Sequence, residues 1–278
     1  MYPKVSIIIP CYNQGKFLAE ALDSVLKQTL PEWEIIIVDD GSIDNSAQVS
    51  QKYVSEDKRI KYVYQKNAGP SAARNKGVSL AKAPLIFFLD GDDKIDSRLL
   101  EVGVSYMLGH EKCKLFYTRT EYFGAYQGAF DLNYTSYKDL LVSNSIICAC
   151  IVRRSDFERI GGFDEQLFGY EDWEFFIRLL YHDDVIHQEP ATMFYYRVNN
   201  NPNSVNVIAK NNSSEKTMYI YQKHIDKYNE FFGTPFHVTS EYNRLSKEIT
   251  KILNSRSYKL CKYMQIPFVL FRKIFKMR

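Results

Sequence analysis

Covalent cross-links do not organise this chain. Its 278 residues contain only 5 Cys, and the odd set Cys11, Cys113, Cys148, Cys150 and Cys261 has no Cys-x-x-Cys pair and no histidine at zinc spacing. That excludes a disulfide framework and a structural zinc site, and it fits reduced thiols in a cytoplasmic protein. No apolar run approaches the roughly 20 residues of a membrane span. No charged segment followed by an apolar one precedes the strand pattern that begins by Val5, so no secretory signal is expected. Internal repeats are absent, and acidic residues are absent from Ile249 onward. The eight cations of that tail exceed the net charge of +3, which leaves the body mildly acidic, about −5.

What remains is globular. Hydrophobic residues make up 45% and charged residues 25%, too apolar a mixture for a disordered chain. Aromatics reach 15%, which suits either stacking on flat ligand faces or an aromatic core.

The stretch Phe87-Phe88-Leu89-Asp90-Gly91-Asp92-Asp93 is the centre of the pattern. A short apolar run after Pro84 predicts a buried parallel strand over residues 85–89, with Asp90, Asp92 and Asp93 at its carboxyl end. Crowded carboxylates need a cation, a basic group or a shared proton. Mg²⁺ and Mn²⁺ take such oxygen ligands together with substrate phosphates. A solvated Asp-Gly turn is the plainer alternative.

Three strand-and-helix units precede it. Strands are predicted over residues 4–9, 34–38 and 60–65. A helix should follow the first, ending before Pro31, and Asp44 and Ser71 should cap the helices after the second and third. This alternation calls for a parallel sheet with right-handed crossovers. Further on, a helix is expected over 96–109, strands over 115–118, 146–152, 185–187 and 193–197, and a helix capped by Ser155. Glu171 and Asp172 open a helix whose buried stripe is Trp173, Phe176, Ile177 and Leu180. Residues 119–145 resist assignment, 198–213 read as loop, and the chain beyond 214 is helical with a break near Gly233.

Loops after the first four strands meet at one sheet edge. Asp39 and Asp40 there suit a base or ribose, and Arg74 near a helix N-terminus suits phosphate. Together, Val5 to Asn13, Ile37-Val38-Asp39-Asp40-Gly41-Ser42, Asn67-Ala68-Gly69 with Ala73-Arg74-Asn75-x-Gly77, Asp90-Gly91-Asp92-Asp93 and Glu171-Asp172 resemble the inverting family 2 glycosyltransferases. The resemblance spans residues 5–172 and extends to the Tyr-Tyr-Arg near 197. It implies an α/β GT-A fold with a mainly parallel central sheet, a catalytic domain over 1–213 and a helical C-terminal appendage over 214–278.

The resemblance further implies a UDP-sugar donor held by the first four loops. Pro10 and Tyr12 would lie by the base, Asp39 would bind uracil, Arg74 would approach the base or diphosphate, and Asn13, Asp40 and Gly91 belong to the same loops. Asp90 would hold ribose and share the metal, Mn²⁺ or Mg²⁺, with Asp92. Asp172 is expected as the base rather than its neighbour Glu171. The acceptor would be a saccharide or lipid-linked saccharide, as in bacterial polysaccharide assembly. Relatives often follow Tyr-Arg with x-His, but here Val198-Asn199 stands there. Asn199 is a weak, neutral ligand, so the metal would be held mainly by Asp92 and the diphosphate, and His187 could substitute although a lone histidine at a strand end is more often structural.

Two readings of the basic, aromatic tail over residues 259–278 stand: contact with the inner face of the membrane, or packing on the domain with a solvated basic face. Nucleic acid is not expected. Two rivals share some of these features. A non-catalytic sugar-nucleotide sensor does not need both Asp92 and Asp172, and a receiver-like signalling module leaves the second half of the chain without purpose.

Overall fold

The computed structural model describes residues 2–130, 132–181, 183–199, 213–255 and 258. Residues 200–212 and the basic tail 259–278 therefore lie outside the described residues. The chain divides into two compact units, Met1–Met218 and Tyr219–Arg278.

In the first unit, β1 (Val5–Cys11), β2 (Trp33–Asp39), β3 (Ile60–Tyr64) and β4 (Leu85–Phe88) alternate with α1 (Leu18–Leu26), α2 (Ser46–Glu56) and α3 (Pro70–Ser79). β1 and β2 are buried along their whole length. That is why their Ile- and Val-rich runs show no alternation. The strands align parallel in the order β3-β2-β1-β4. Sequence order reverses between β1 and β4, which opens a crevice at their carboxyl ends. α3 lies hard against β1. A Cβ on Gly77 would come 2.3 Å from Ile8 Cγ2.

Beyond β4 the sheet changes direction. β8 (Ile151–Arg153) pairs antiparallel with β4 and with β6 (Cys113–Gly124), and β9 (Val185–Val198) runs parallel to β6. The two-residue β5 (Lys94–Ile95) closes the row against β9, and β7 (Gly128–Phe130) forms a hairpin with β6. α4 (Leu99–Gly109), α5 (Tyr137–Val142), α6 (Arg154–Arg159) and α7 (Glu171–Leu179) complete the unit. Phe88 of β4 meets Phe163 at 5.1 Å between ring centroids, and Phe163 meets Phe175 of α7 at 4.6 Å. This aromatic contact holds α7 beside the end of β4.

Several local expectations are corrected. The two short strands over 185–187 and 193–197 are one strand, because the register skips from Glu189 to Thr192 and the donorless Pro190 falls in the bulge. Residues 119–145 carry the end of β6, β7 and α5, with Ser136 Oγ accepting from Asp139 N at 3.1 Å as the cap of α5. The strand expected over 146–152 shrinks to Ile151–Arg153. Asp44 sits one residue before the Asn45 cap, Gly69 rather than Ser71 precedes α3, and α6 has Arg153 at its cap and no side-chain bond from Ser155.

In the second unit the described helices are Ile225–Phe232 and Pro235–Asn254, with Ser213–Lys223 crossing the boundary. Gly233 at φ 77° makes the expected break. Among the described residues no helix is long and apolar enough to cross a membrane.

Gly77→Ala is expected to destabilise the fold by about 1–3 kcal/mol through overpacking on Ile8. A urea melt with an unchanged midpoint would show that α3 has room to move away.

Candidate active site

The loops after β1 and β2 are tied to each other. Asn13 adopts φ 54°, a left-handed conformation that Asn tolerates. Its N–H donates to Ser42 Oγ at 3.0 Å, and its Oδ1 accepts from Ile43 N at 2.9 Å. Pro10 is buried and Tyr12 is exposed, so the tyrosine ring is not packed under the sheet.

Asp39 and Asp40 are both buried but differ in use. Asp39 accepts from Ser42 N and from Tyr62 Oη, each at 2.7 Å. Asp40 accepts from Gln65 Nε2, Ala68 N and Gly69 N, each at 2.8 Å. Its carboxylate therefore shapes the loop that leads into α3. Tyr62 had no motif to mark it in the sequence; its role appears only from its place on β3, in register with Ile37 two residues before Asp39.

Across the crevice, Gly91 presses on the β1 loop, where a Cβ would come 2.6 Å from Gln14 Oε1. Gln14 Nε2 donates to Asp92 Oδ1 at 3.0 Å. Asp93 is buried, and its Oδ1 accepts from Arg197 N at 2.8 Å. Burial first, and then the charge of Asp90, push Asp92 up to about 6. Burial and the charges of Asp92 and Asp90 raise Asp93 well above the usual carboxylate range.

Asn199 reaches this cluster, its Nδ2 lying 3.5 Å from Asp92 Oδ2. His187 does not: it stacks on Tyr106 at 3.9 Å, ten residues up β9 from Arg197. Arg197 donates from Nε to the Asp92 carbonyl at 2.7 Å and pairs with Glu20. Its guanidinium lies 4.5 Å from the Phe17 ring centroid and 4.2 Å from that of Phe123.

α7 supplies the other wall. Asp172 is half-buried, accepting from Trp173 N at 2.7 Å and from Asn144 Nδ2 at 3.0 Å. Burial and the neighbouring Glu171 charge push it up to about 7, against the pull of Trp173 N–H, Arg74 and Asn144. A carboxylate poised near neutrality suits proton abstraction. Asn144 was not legible in the sequence, since it lies in an irregular segment and matters only by facing Asp172.

Glu171 is buried and fully engaged. Its Oε1 accepts from Arg74 Nη1 at 2.8 Å, and its Oε2 accepts from Gly169 N at 2.7 Å and Tyr170 N at 3.1 Å. Arg74 donates its other terminal nitrogen to Asp90 Oδ1 at 2.8 Å. Two carboxylates thus take the guanidinium that the sequence assigns to phosphate. The half-buried Cys148 thiol is pushed up by desolvation, with the charges of Arg74, Asp172 and Asp90 all acting on it. It therefore lies among both walls of the site. Among the described residues no group of three or more His, Cys, Asp or Glu is arranged to hold a metal.

Residues 6–161 match the family described as Glycosyl transferase family 2. The chain belongs to that family. Residues 132–199 also match one described as the N-terminal domain of galactosyltransferase. The uncharacterized glycosyltransferase EpsJ of Bacillus subtilis is 45% identical over 101 residues, 36% of this chain and 29% of that protein. The putative teichuronic acid biosynthesis glycosyltransferase TuaG of the same organism is 39% identical over 117 residues, 42% of this chain and 46% of that one. Less than half of each relative's length is spanned.

Among solved structures, S. aureus TarS 1-349 in complex with UDP superposes with a TM-score of 0.65 at 19% identity, covering 91% of this chain and 72% of that one. The same protein in complex with UDP-GlcNAc gives 0.62 at 22% identity, covering 71% and 59%. The family 2 chain thus has the GT-A fold.

Asp40→Ala is expected to cost about 3 kcal/mol of stability, since three donors lose a buried charged acceptor. Urea denaturation tests this, and a loss under about 0.5 kcal/mol, the level of a surface change, would show that Asp40 is free to meet a ligand.

Proposed function

We propose that this family 2 glycosyltransferase moves a sugar from a UDP-sugar to an acceptor hydroxyl, with inversion, in the assembly of a bacterial polysaccharide. The observation that carries the reading is Asp172: a carboxylate pushed up to about 7 at the start of α7, next to the Asp90 loop at the sheet's switch point. The names of EpsJ and TuaG and the ligands named for TarS support it.

The donor lies across the first four loops, with the base between Tyr12 and Asp39 and the ribose at Asp90. The acceptor, a saccharide or lipid-linked saccharide, enters from the α7 side. Its hydroxyl oxygen forms a bond to the anomeric carbon while the bond from that carbon to the UDP oxygen breaks. Asp172 takes the hydroxyl proton as this happens. Attack opposite the leaving group inverts the centre. Asn144 holds one Asp172 oxygen at 3.0 Å and the Trp173 amide holds the other at 2.7 Å, which fixes the carboxylate for that transfer.

A hard divalent cation at the Asp90–Asp93 loop would depend on oxygens of the donor, since no three protein ligands converge there among the described residues. Asp92 is half-buried beside another carboxylate, with the amide side chains of Gln14 and Asn199 at its oxygens and the Arg197 charge acting on it. Asp92 would hold Mg²⁺ or Mn²⁺ with Asp90 beside it, the remaining ligands coming from the donor's diphosphate. When bound, the ion supplies charge neutralisation for the leaving diphosphate.

The test is nucleotide release from a panel of UDP-, GDP- and TDP-sugars, with Mn²⁺ or with EDTA. Metal-dependent release of UDP from one donor is expected, lost in Asp92→Ala. Donor bound without release, even with bacterial lipid-linked acceptors added, would favour a sugar-nucleotide sensor, and no binding of any donor would sink both readings.

Asp172→Asn is expected to lower kcat by about 10²–10⁴-fold with donor affinity kept. The base must be ionised, so kcat should fall as pH drops through about 7 and level off above it. A flat profile from pH 5 to 9 would remove Asp172 from that role.

A further inference from the structure

Arg74 is 5% exposed and spans two elements that the sequence separates widely. One terminal nitrogen reaches Asp90 in the loop after β4 and the other reaches Glu171 on α7, each at 2.8 Å. Each terminal nitrogen keeps a second N–H, but the guanidinium is turned inward between the two carboxylates, and its Nε–H is buried and meets no acceptor among the described residues. Glu171 in turn gathers the backbone ahead of α7, its second oxygen accepting from the amides of Gly169 and Tyr170. Tyr170 has φ 145°, a conformation that side chains seldom adopt and that persists only where the surroundings impose it. Ser71 Oγ, on the same helix as Arg74, donates to the Leu167 carbonyl at 3.3 Å. The segment that delivers Asp172 is therefore held from α3.

We propose that Arg74 and Glu171 are positioning residues that fix the α7 N-terminus, and with it Asp172, at a set distance from the Asp90 loop, and that neither touches the donor's phosphates. This rests on the donor-and-base reading above. Glu171→Gln is a discriminating change. A glutamine has one acceptor oxygen, so it keeps Arg74 or the two amides and must turn an NH₂ group toward the other. Arg74→Lys retains the charge but loses the fork that spans two carboxylates.

The experiment has two arms. In the first, kcat, UDP affinity and uridine affinity are measured for wild type, Arg74→Lys, Glu171→Gln and the double variant. Each single change should lower kcat about 10²-fold, the cost of displacing a reacting group by about 1 Å. The double variant should be little worse than either single one, because both cut the same link. UDP affinity should change no more than uridine affinity does. In the second arm, amide hydrogen exchange should quicken at residues 169–173 in both single variants and stay unchanged at residues 39–42.

Loss of UDP affinity by tenfold or more relative to uridine, with exchange at 169–173 unaltered, would make Arg74 a phosphate ligand and overturn the proposal. So would a Glu171→Gln variant with wild-type kcat, which decides the matter if the Arg74 variant does not fold. A wild type that binds no UDP would refute the donor reading instead, and the exchange arm would still report whether Arg74 and Glu171 hold the segment.

Discussion

Repulsion among carboxylates is the constraint that shapes this site. Asp39, Asp40, Asp90, Asp92, Asp93, Glu171 and Asp172 all lie in loops at the carboxyl edge of one sheet or at the start of the helix beside it. Within a few ångströms and partly out of water, such charges disfavour one another strongly unless each finds donors. Asp40 is met by amides, Asp39 by Tyr62 and Ser42, and Asp90 and Glu171 by the shared Arg74. Asp92, Asp93 and Asp172 are left with raised proton affinity. Asp93 is buried against the Arg197 amide, so the accessible remainder is Asp92 and Asp172, one on each wall.

The fold produces that convergence by simple means. Parallel strands in the order β3-β2-β1-β4 must end together, and the reversal between β1 and β4 leaves room between their loops. Gly91 lets the Asp90 loop close on Gln14, while Phe88, Phe163 and Phe175 pack α7 against the end of β4. Apolar packing thus sets the coarse distance between the walls, and charged hydrogen bonds set the fine one.

How much of this was legible depended on how local the cause was. The alternation of β1 to β4 with α1 to α3 could be read because each element carries its own period and its own stop, such as Pro10, Pro31 and Asp-Gly. The run Ile146 to Val152 misled, since apolar residues mark burial and most of this stretch is buried without a ladder. β9 read as two pieces because Pro190 interrupts a strand that only its partner β6 makes continuous. At the site, the positions of Asp90, Asp92 and Asp172 came from motifs. The partners Tyr62, Asn144 and Gln14 did not, because their identity follows from what faces them across the fold. The charge of Arg74 pointed to an anion, and the anions it meets in the fold are the side chains of Asp90 and Glu171.

The turn of direction at β4 bears on how such a molecule can diversify. Strands on the β1 side are locked by crossovers, where an inserted residue would shift a helix and its loop together. On the far side, β6 and β7 form a hairpin whose tip, with Tyr126 exposed, is joined to the rest through one edge. A hairpin tip lengthens or changes sequence at small cost to the elements that carry it. The β1–β4 half is thereby insulated from drift, while the opposite half is free to be recut for a new partner without refolding the first.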